Sequence, residues 1–542
     1  MKSNVYIKIR IRQMINKLSP NLKTLFHVNN LKNPLVIIVI IATVVRLWGI
    51  RWGFPYILDP DEPALIRSSI GFIFGDWNPH HFDWPTLHMY LSFFIFEIFI
   101  KFRAIINFLH LQNILEPYVP IFWDDPLIFY FLGRLISVVM GVASVALVYL
   151  TSKLLKFSNK VAFLTAIFMA LIPIHVAGSQ MALIDVPMVF WLSLVIYLSI
   201  KSVIAKDFRY LVYAALFVGF ATSTKYNAAL SVLIVLSAFV YHLEGIPQFK
   251  KIKNLLLLGI VTIGGFLVGT PYALLDHETF FSNSNSQGAL WQLTRSANSE
   301  NLGLWQNLIN RIGFDLTSGM GYALVVASIL GFYATFKAKS PLKILLPFTL
   351  AYLMVIVKMG YYQPHFLLPL SLPLILMAGF GIYHFRSTRF TIYLIGIILF
   401  ELIFRTGWSM FILAHPDTRI VATNYINSNI QDGAVIAEGQ AYEPILRPKK
   451  DEFDESHGYK LLKIDKYTKG KKYNEKSVEN LKHDSVEYLL IGDFGLGWQF
   501  DEADNEGPTL DQTTWVKRYS DVVYRIDPKN QPGPTIILSR LK

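Results

Sequence analysis

Apolar residues gather in long runs along this chain, separated by short polar stretches rich in Lys and Arg. Runs near 34–50, 131–150, 161–177, 186–204, 210–223, 227–243, 254–272, 319–336, 344–358, 365–384 and 390–409 read as membrane-crossing helices. A helix needs roughly 17–25 apolar residues to cross a bilayer. The first run begins more than thirty residues in and lacks a small-residue cleavage pattern, so it reads as an uncleaved anchor. The basic segment before it (Lys2, Lys8, Arg10, Arg12, Lys17, Lys23, Lys32) is expected to stay in the cytoplasm. The same rule applies to Lys153/Lys156/Lys160, Lys201/Lys206/Arg209, Lys250/Lys251/Lys253, Lys337/Lys339/Lys343 and Arg386/Arg389. Eleven crossings satisfy all of these clusters, and an odd number puts the C-terminal part outside.

One further apolar stretch, 86–108, is long enough to span but carries Glu97, Lys101 and Arg103. Counting it as a crossing would put Lys153, Lys156 and Lys160 outside. It is therefore expected to lie at the outer interface, within one large outer loop over 51–130. After residue 409 the long apolar runs stop and charge density rises. There, Asp417 to Ile430 has helical spacing with Asp417 as a cap, and Ala434–Ala437 and Tyr488–Ile491 read as buried strands. The expected architecture is mainly α. A polytopic membrane module occupies 1–409, and a small extracytoplasmic α/β domain occupies 410–542.

Composition agrees with this. Of 542 residues, 53% are hydrophobic and 16% charged, against roughly 25% charged in soluble domains. The net charge of +12 lies in the loop clusters, which membrane topology explains without nucleic acid. The chain has no cysteine, which excludes disulfides, thiolate metal sites and thiol nucleophiles. No internal repeat is visible.

Several polar residues stand where an apolar chain would not place them. Asp59, Asp61 and Glu62 follow the first run directly, as helix-capping acids or as a general base at the membrane surface. Asp185 begins another run, as a cap or a functional acid; by parity it shares a face with Asp61. Lys225 interrupts a long apolar stretch on that same face, and Arg46 lies near the outer end of the first run. Each is either a snorkelling cation or an anion ligand. His365 opens a run from the outer side, as a structural or a functional imidazole. His80, His81, Asp83 and His88 lie in the first loop. The His81/Asp83 pair could hold a divalent metal ion, the one cofactor that the chain offers a place for.

Taken in order, these pieces resemble the GT-C class of membrane glycosyltransferases, of the kind related to protein O-mannosyltransferases and the lipid A aminoarabinose transferase. The matching pieces are Arg46-Leu47, Asp61-Glu62, Trp84–Tyr90, Gly133-Arg134-Leu135, Pro173 to Asp185, Thr224-Lys225-Tyr226 and Gly269–Tyr272. The resemblance implies a polyprenyl-phosphate-linked sugar as donor and transfer on the outer face with inversion. It makes Asp61 the base, Glu62 its neighbour, and Asp185 an orienting acid. Lys225, Arg46, Arg134 and His365 become donor-phosphate ligands; His88, Tyr226 and Tyr362 become substrate contacts. His365-Phe366 stands where the family often has Arg-Tyr, which would make His365 a pH-dependent substitute. Gly533–Ile536 is similar to the tails of bacterial members. The expected location is the plasma membrane, with a lipid, glycan or protein acceptor. Two rivals share the spans and the charges. A transporter of lipid-linked sugars would favour midplane acids and repeats, and a non-catalytic scaffold of a glycan-assembly complex would tolerate loss of Asp61-Glu62.

Overall fold

The computed structural model describes residues 33–108, 126–283, 287–298, 303–359, 363–385, 389–438, 446, 458–464, 475–493 and 518–542. It divides into two compact units, one of Met1–Ile50 with Ala64–Gly407, the other of Arg51–Pro63 with Trp408–Lys542. The boundary expected at 409/410 thus falls at 407/408, and the segment 51–63 groups with the C-terminal residues.

The first unit is helical. Its principal helices are α1 (Pro34–Trp48), α2 (Glu62–Gly71, shared with the second unit), α3 (Leu87–Phe108), α4 (Leu127–Leu154), α5 (Asn159–Leu171), α6 (Pro173–Ser179), α7 (Asp185–Ala205), α8 (Phe208–Thr222), α9 (Val232–Val240), α10 (Gln248–Gly269), α11 (Tyr322–Lys337), α12 (Leu346–Lys358), α13 (Leu368–His384) and α14 (Arg389–Leu413). Every one of the eleven expected crossings has an apolar helix at its place. Among the described residues six helices are long and apolar enough to cross a membrane, or up to eight if each bent pair is one span. The helices at 34–48, 208–222 and 226–240 are apolar but shorter. The stretch 86–108 is the 22-residue helix α3, and it is not among the long apolar set.

Two of the expected crossings are broken, each for a readable reason. Between α5 and α6 the axis bends by 58° at Pro173, which has no N–H to continue the ladder. The stranded carbonyls need other donors, since apolar surroundings supply none. Arg46 of α1 donates to the Met169 and Ala170 carbonyls at 3.3 and 3.0 Å. Thr406 of α14 donates to the Leu171 carbonyl at 2.6 Å. The second break, of 112°, separates Leu304–Met320 from α11 at Gly321, whose φ of +92° suits glycine. Glu401, inside the apolar α14, caps α11 by accepting from the Tyr322 and Ala323 N–H groups at 2.8 and 2.9 Å. Arg405 pairs with it at 2.9 Å.

Helices α8 and α10 cross on glycines. A Cβ at Gly219 would meet the Thr262 carbonyl and, at 2.6 Å, the Phe266 nitrogen; one at Gly265 would meet the Leu216 carbonyl at 2.6 Å. This crossing leads to a clasp below the Lys225 turn. Ser223 and Thr270 hydroxyls are bonded at 2.6 Å, Thr86 donates to the Gly269 carbonyl at 2.8 Å, and the Leu87 N–H to the Ser223 carbonyl at 3.0 Å.

The second unit is a five-stranded sheet with helices. Its strands are β1 (Val435–Glu438), β2 (Lys460–Lys463), β3 (Tyr488–Asp493), β4 (Ser520–Ile526) and β5 (Thr535–Leu541), in the order β2-β1-β3-β5-β4. β1 runs parallel to β2 and β3, whereas β5 is antiparallel to β3 and β4. The expected helix is α15 (Thr418–Asn429), capped by Asp417, which accepts from the Arg419 N–H at 2.9 Å. The two expected strands correspond to β1 and β3; the sequence reading left out β2, β4 and β5. Helix α16 (Glu475–His483) precedes β3. Gly533 of the tail motif has φ +110° and lies against α15, where a Cβ would meet Thr418 and, at 2.5 Å, Asp417 Oδ1.

Candidate functional site

The clearest constellation in the first unit is an ion pair. Asp185 is the first residue of α7, and Lys225 leads the 3-10 turn Tyr226–Ser231 that follows α8. Lys225 Nζ donates to Asp185 Oδ1 at 2.6 Å, with side chains only 16% and 8% exposed. The ammonium also lies 4.7 Å over the ring of Phe366. His365 precedes Phe366, and its ring meets that of Phe366 edge-on with centroids 4.8 Å apart. The structure thus brings together three residues read from separate loops of the sequence: Asp185, Lys225 and His365. An ammonium has three donors, and Asp185 takes one of them here.

A hydrogen-bond chain backs the same turn. Asn227 Nδ2 donates to Tyr352 Oη at 2.6 Å, and Tyr352 donates to the Phe366 carbonyl at 2.9 Å. Sequence reading missed both residues; each is one polar group in an apolar run, and only packing shows that they meet.

Arg46 and Arg134 are fully buried. Arg46 spends its five N–H groups on protein acceptors: Ser179 Oγ at 3.2 Å, the carbonyls of Ala42 (3.1 Å), Ala170 and Met169, and His175 Nδ1 at 2.8 Å. It is the joint of the α5–α6 break, and it has no N–H left for a phosphate, so the expected ligand role is corrected. His175 and Ser179 belong to this joint and carried no role in the sequence reading; Pro173 beside a histidine in an apolar run was the signal. Gly141 makes room for the joint, since a Cβ there would lie 2.5 Å from Ser179 Oγ. Arg134 Nη1 donates to the Ile50 carbonyl at 2.9 Å, past the end of α1.

The acidic segment after α1 lies in the second unit, at the start of α2. Asp59 Oδ1 accepts from the N–H groups of Asp61 and Glu62 at 2.9 and 3.1 Å. Asp59 therefore acts as a capping acid at the entrance to α2. Burial, then the Glu62 charge, pushes its carboxyl up to about 6. Asp61 is exposed and Glu62 buried.

Other expected residues differ in their surroundings. Tyr226 donates to the Phe82 carbonyl at 2.8 Å. His88 is buried at the start of α3, and neither ring nitrogen has a partner. His81 Nδ1 is bonded to Asp83 Oδ1 at 2.7 Å and Nε2 to Ser68 Oγ at 2.9 Å. Among the described residues no group of three or more His, Asp or Glu could hold a metal ion. His80 pairs with Asp76 at 2.8 Å. Tyr362 lies outside the described residues.

A family model described as dolichyl-phosphate-mannose-protein mannosyltransferase matches residues 130–273. No curated protein matches the chain. Among solved structures, the chain is similar to ArnT from Cupriavidus metallidurans, with 13% identity and a TM-score of 0.49, covering 93% of this chain and 97% of that one. The Archaeoglobus fulgidus oligosaccharyltransferase gives 13% identity and a TM-score of 0.44, covering 93% and 73%. The S. cerevisiae Pmt1-Pmt2 complex gives 19% identity and a TM-score of 0.35, covering 46% and 35%. These structural likenesses are weak. The matched residues 130–273 hold Arg134, Asp185 and Lys225, so the pair described above lies inside the segment that is similar to the dolichyl-phosphate-mannose-protein mannosyltransferase family.

Proposed function

We propose that this chain is an inverting glycosyltransferase. It moves a hexosyl or pentosyl group from a polyprenyl-phosphate-linked donor to a hydroxyl acceptor at the outer face of the plasma membrane. The observation that carries this reading is the buried Asp185–Lys225 pair, inside the segment with the mannosyltransferase signature. Asp185 engages one of the three ammonium donors of Lys225, which leaves two for an anionic ligand.

In the reaction, the acceptor oxygen attacks the anomeric carbon and the bond from that carbon to the phosphate oxygen breaks. The electron pair leaves with the polyprenyl phosphate, and the anomeric configuration inverts. Asp61, exposed at the start of α2, takes the acceptor proton. The two N–H groups of Lys225 not engaged by Asp185 stabilise the charge that grows on the phosphate. Asp185 holds the ammonium in place, and His365 adds positive charge when protonated.

The test is Asp61→Asn in the purified full chain in lipid nanodiscs. The donor is undecaprenyl-phosphate mannose, with host membranes as the source of acceptor. Transfer should fall by roughly 10²–10⁴-fold. Unimpaired transfer would remove Asp61 as the base. Movement of the intact lipid-linked sugar across the bilayer, without transfer, would favour the transporter.

A further inference from the structure

We infer that Asn227 reads the sugar of the donor: its Oδ1 accepts a hydrogen bond from a sugar hydroxyl. The inference rests on the proposed polyprenyl-phosphate-sugar chemistry and adds a residue that selects among donors.

Directionality fixes how the amide faces. Tyr352 has one hydroxyl proton, and it goes to the Phe366 carbonyl at 2.9 Å. The same hydroxyl oxygen must then accept from Asn227 at 2.6 Å, and only Nδ2 of an amide can donate. Nδ2 therefore faces Tyr352 and Oδ1 faces away from it. That oxygen is buried and has no partner. An amide carbonyl held out of water and unpaired carries a desolvation cost, which a bound ligand relieves.

Position ties the oxygen to the candidate site. Asn227 lies two residues beyond Lys225 on one 3-10 turn, and both residues converge on Phe366. Lys225 lies over its ring, and Asn227 reaches its carbonyl through Tyr352. A lipid-linked sugar has three parts, and chemistry selects among them. Phosphate oxygens are acceptors, as Oδ1 is, so the two repel. The polyprenyl tail has no polar hydrogen. The sugar hydroxyls alone can donate to Oδ1.

The test compares two probes, undecaprenyl-phosphate mannose and bare undecaprenyl phosphate. Each competes against labelled undecaprenyl phosphate on the full chain in nanodiscs. Asn227→Leu should weaken the sugar lipid about ten-fold and the bare lipid less than about two-fold. Tyr352→Phe, which keeps the ring and removes only the hydroxyl that orients the amide, should shift the sugar lipid in the same direction by less. It also serves if Asn227→Leu does not fold. Equal weakening of both lipids, or none of either, overturns the inference and leaves the proposed function standing. A wild-type chain that binds neither lipid overturns both.

Discussion

At the residue scale, hydrogen-bond partners distinguish two cations that stand in apolar runs, Arg46 and Lys225. Arg46 and Lys225 look alike in the sequence, each a charge in an apolar run. Their partners differ: Arg46 is saturated by five protein acceptors, whereas Asp185 takes one donor of Lys225. Arg46→Met should destabilise the chain by at least about 3 kcal/mol in thermal unfolding in detergent, because the carbonyls at the break lose their donors. Lys225→Met leaves the buried Asp185 charge unpaired, at about 3–5 kcal/mol. Adding Asp185→Asn should recover stability but not binding of undecaprenyl phosphate. Recovery of both would make the pair purely structural. Asp59 gives a pH prediction. Its folded value of about 6 lies above the ordinary 3.8, so the folded state binds more protons between those values. The contribution of Asp59 to stability is therefore fully present below about pH 4 and is lost as pH rises through about 6. Asp59→Asn keeps an oxygen to cap α2 and removes the charge. It should raise stability by about 1–2 kcal/mol at pH 7, after allowance for partial exposure, and change nothing near pH 3.

At the element scale, both breaks follow local chemistry that the sequence contains, while their repair comes from distant helices. Pro173 and Gly321 are visible as breakers. That α1 and α14 supply the donors at the first break, and Glu401 the cap at the second, depends on which helices pack together. Glu401→Ala should leave two N–H groups of α11 uncapped and cost about 1–2 kcal/mol, read as a lower unfolding temperature in detergent. An unchanged transition would show that water caps the helix instead. The second unit makes the same point. Asp417 and α15 were legible from a cap followed by helical spacing, whereas β4 and β5 were not. β4 is mostly exposed and β5 mostly buried, so neither shows the alternation of a half-buried strand, and β5 pairs with the distant β3.

At the scale of the whole molecule, the positive-inside rule predicts cytoplasmic basic loops and an odd number of crossings before the C-terminal residues, which is a prediction that labelling can test. The chain has no cysteine, so single cysteines report without background. A cysteine at Lys482, exposed on α16, should react with an impermeant maleimide on intact cells, and one at Lys250 only after permeabilisation. Labelling of Lys250 from outside would reverse the orientation.

The sequence by itself determined the class of this protein. Apolar runs of membrane length, basic loops between them and the change of character near residue 410 follow from composition and order along the chain, and these need no contact map. It also marked Asp185, Lys225 and Asp61 as residues out of place in their surroundings. Tertiary structure decided which groups such residues meet. It closed the Asp185–Lys225 pair, turned Arg46 from a ligand into the joint of a broken helix, made Asp59 a cap, and joined Asn227 to Tyr352 and Phe366. A residue's oddity is local and can be read in one dimension. Whether its hydrogen-bonding groups are already satisfied depends on neighbours tens or hundreds of residues away, and only the fold supplies those.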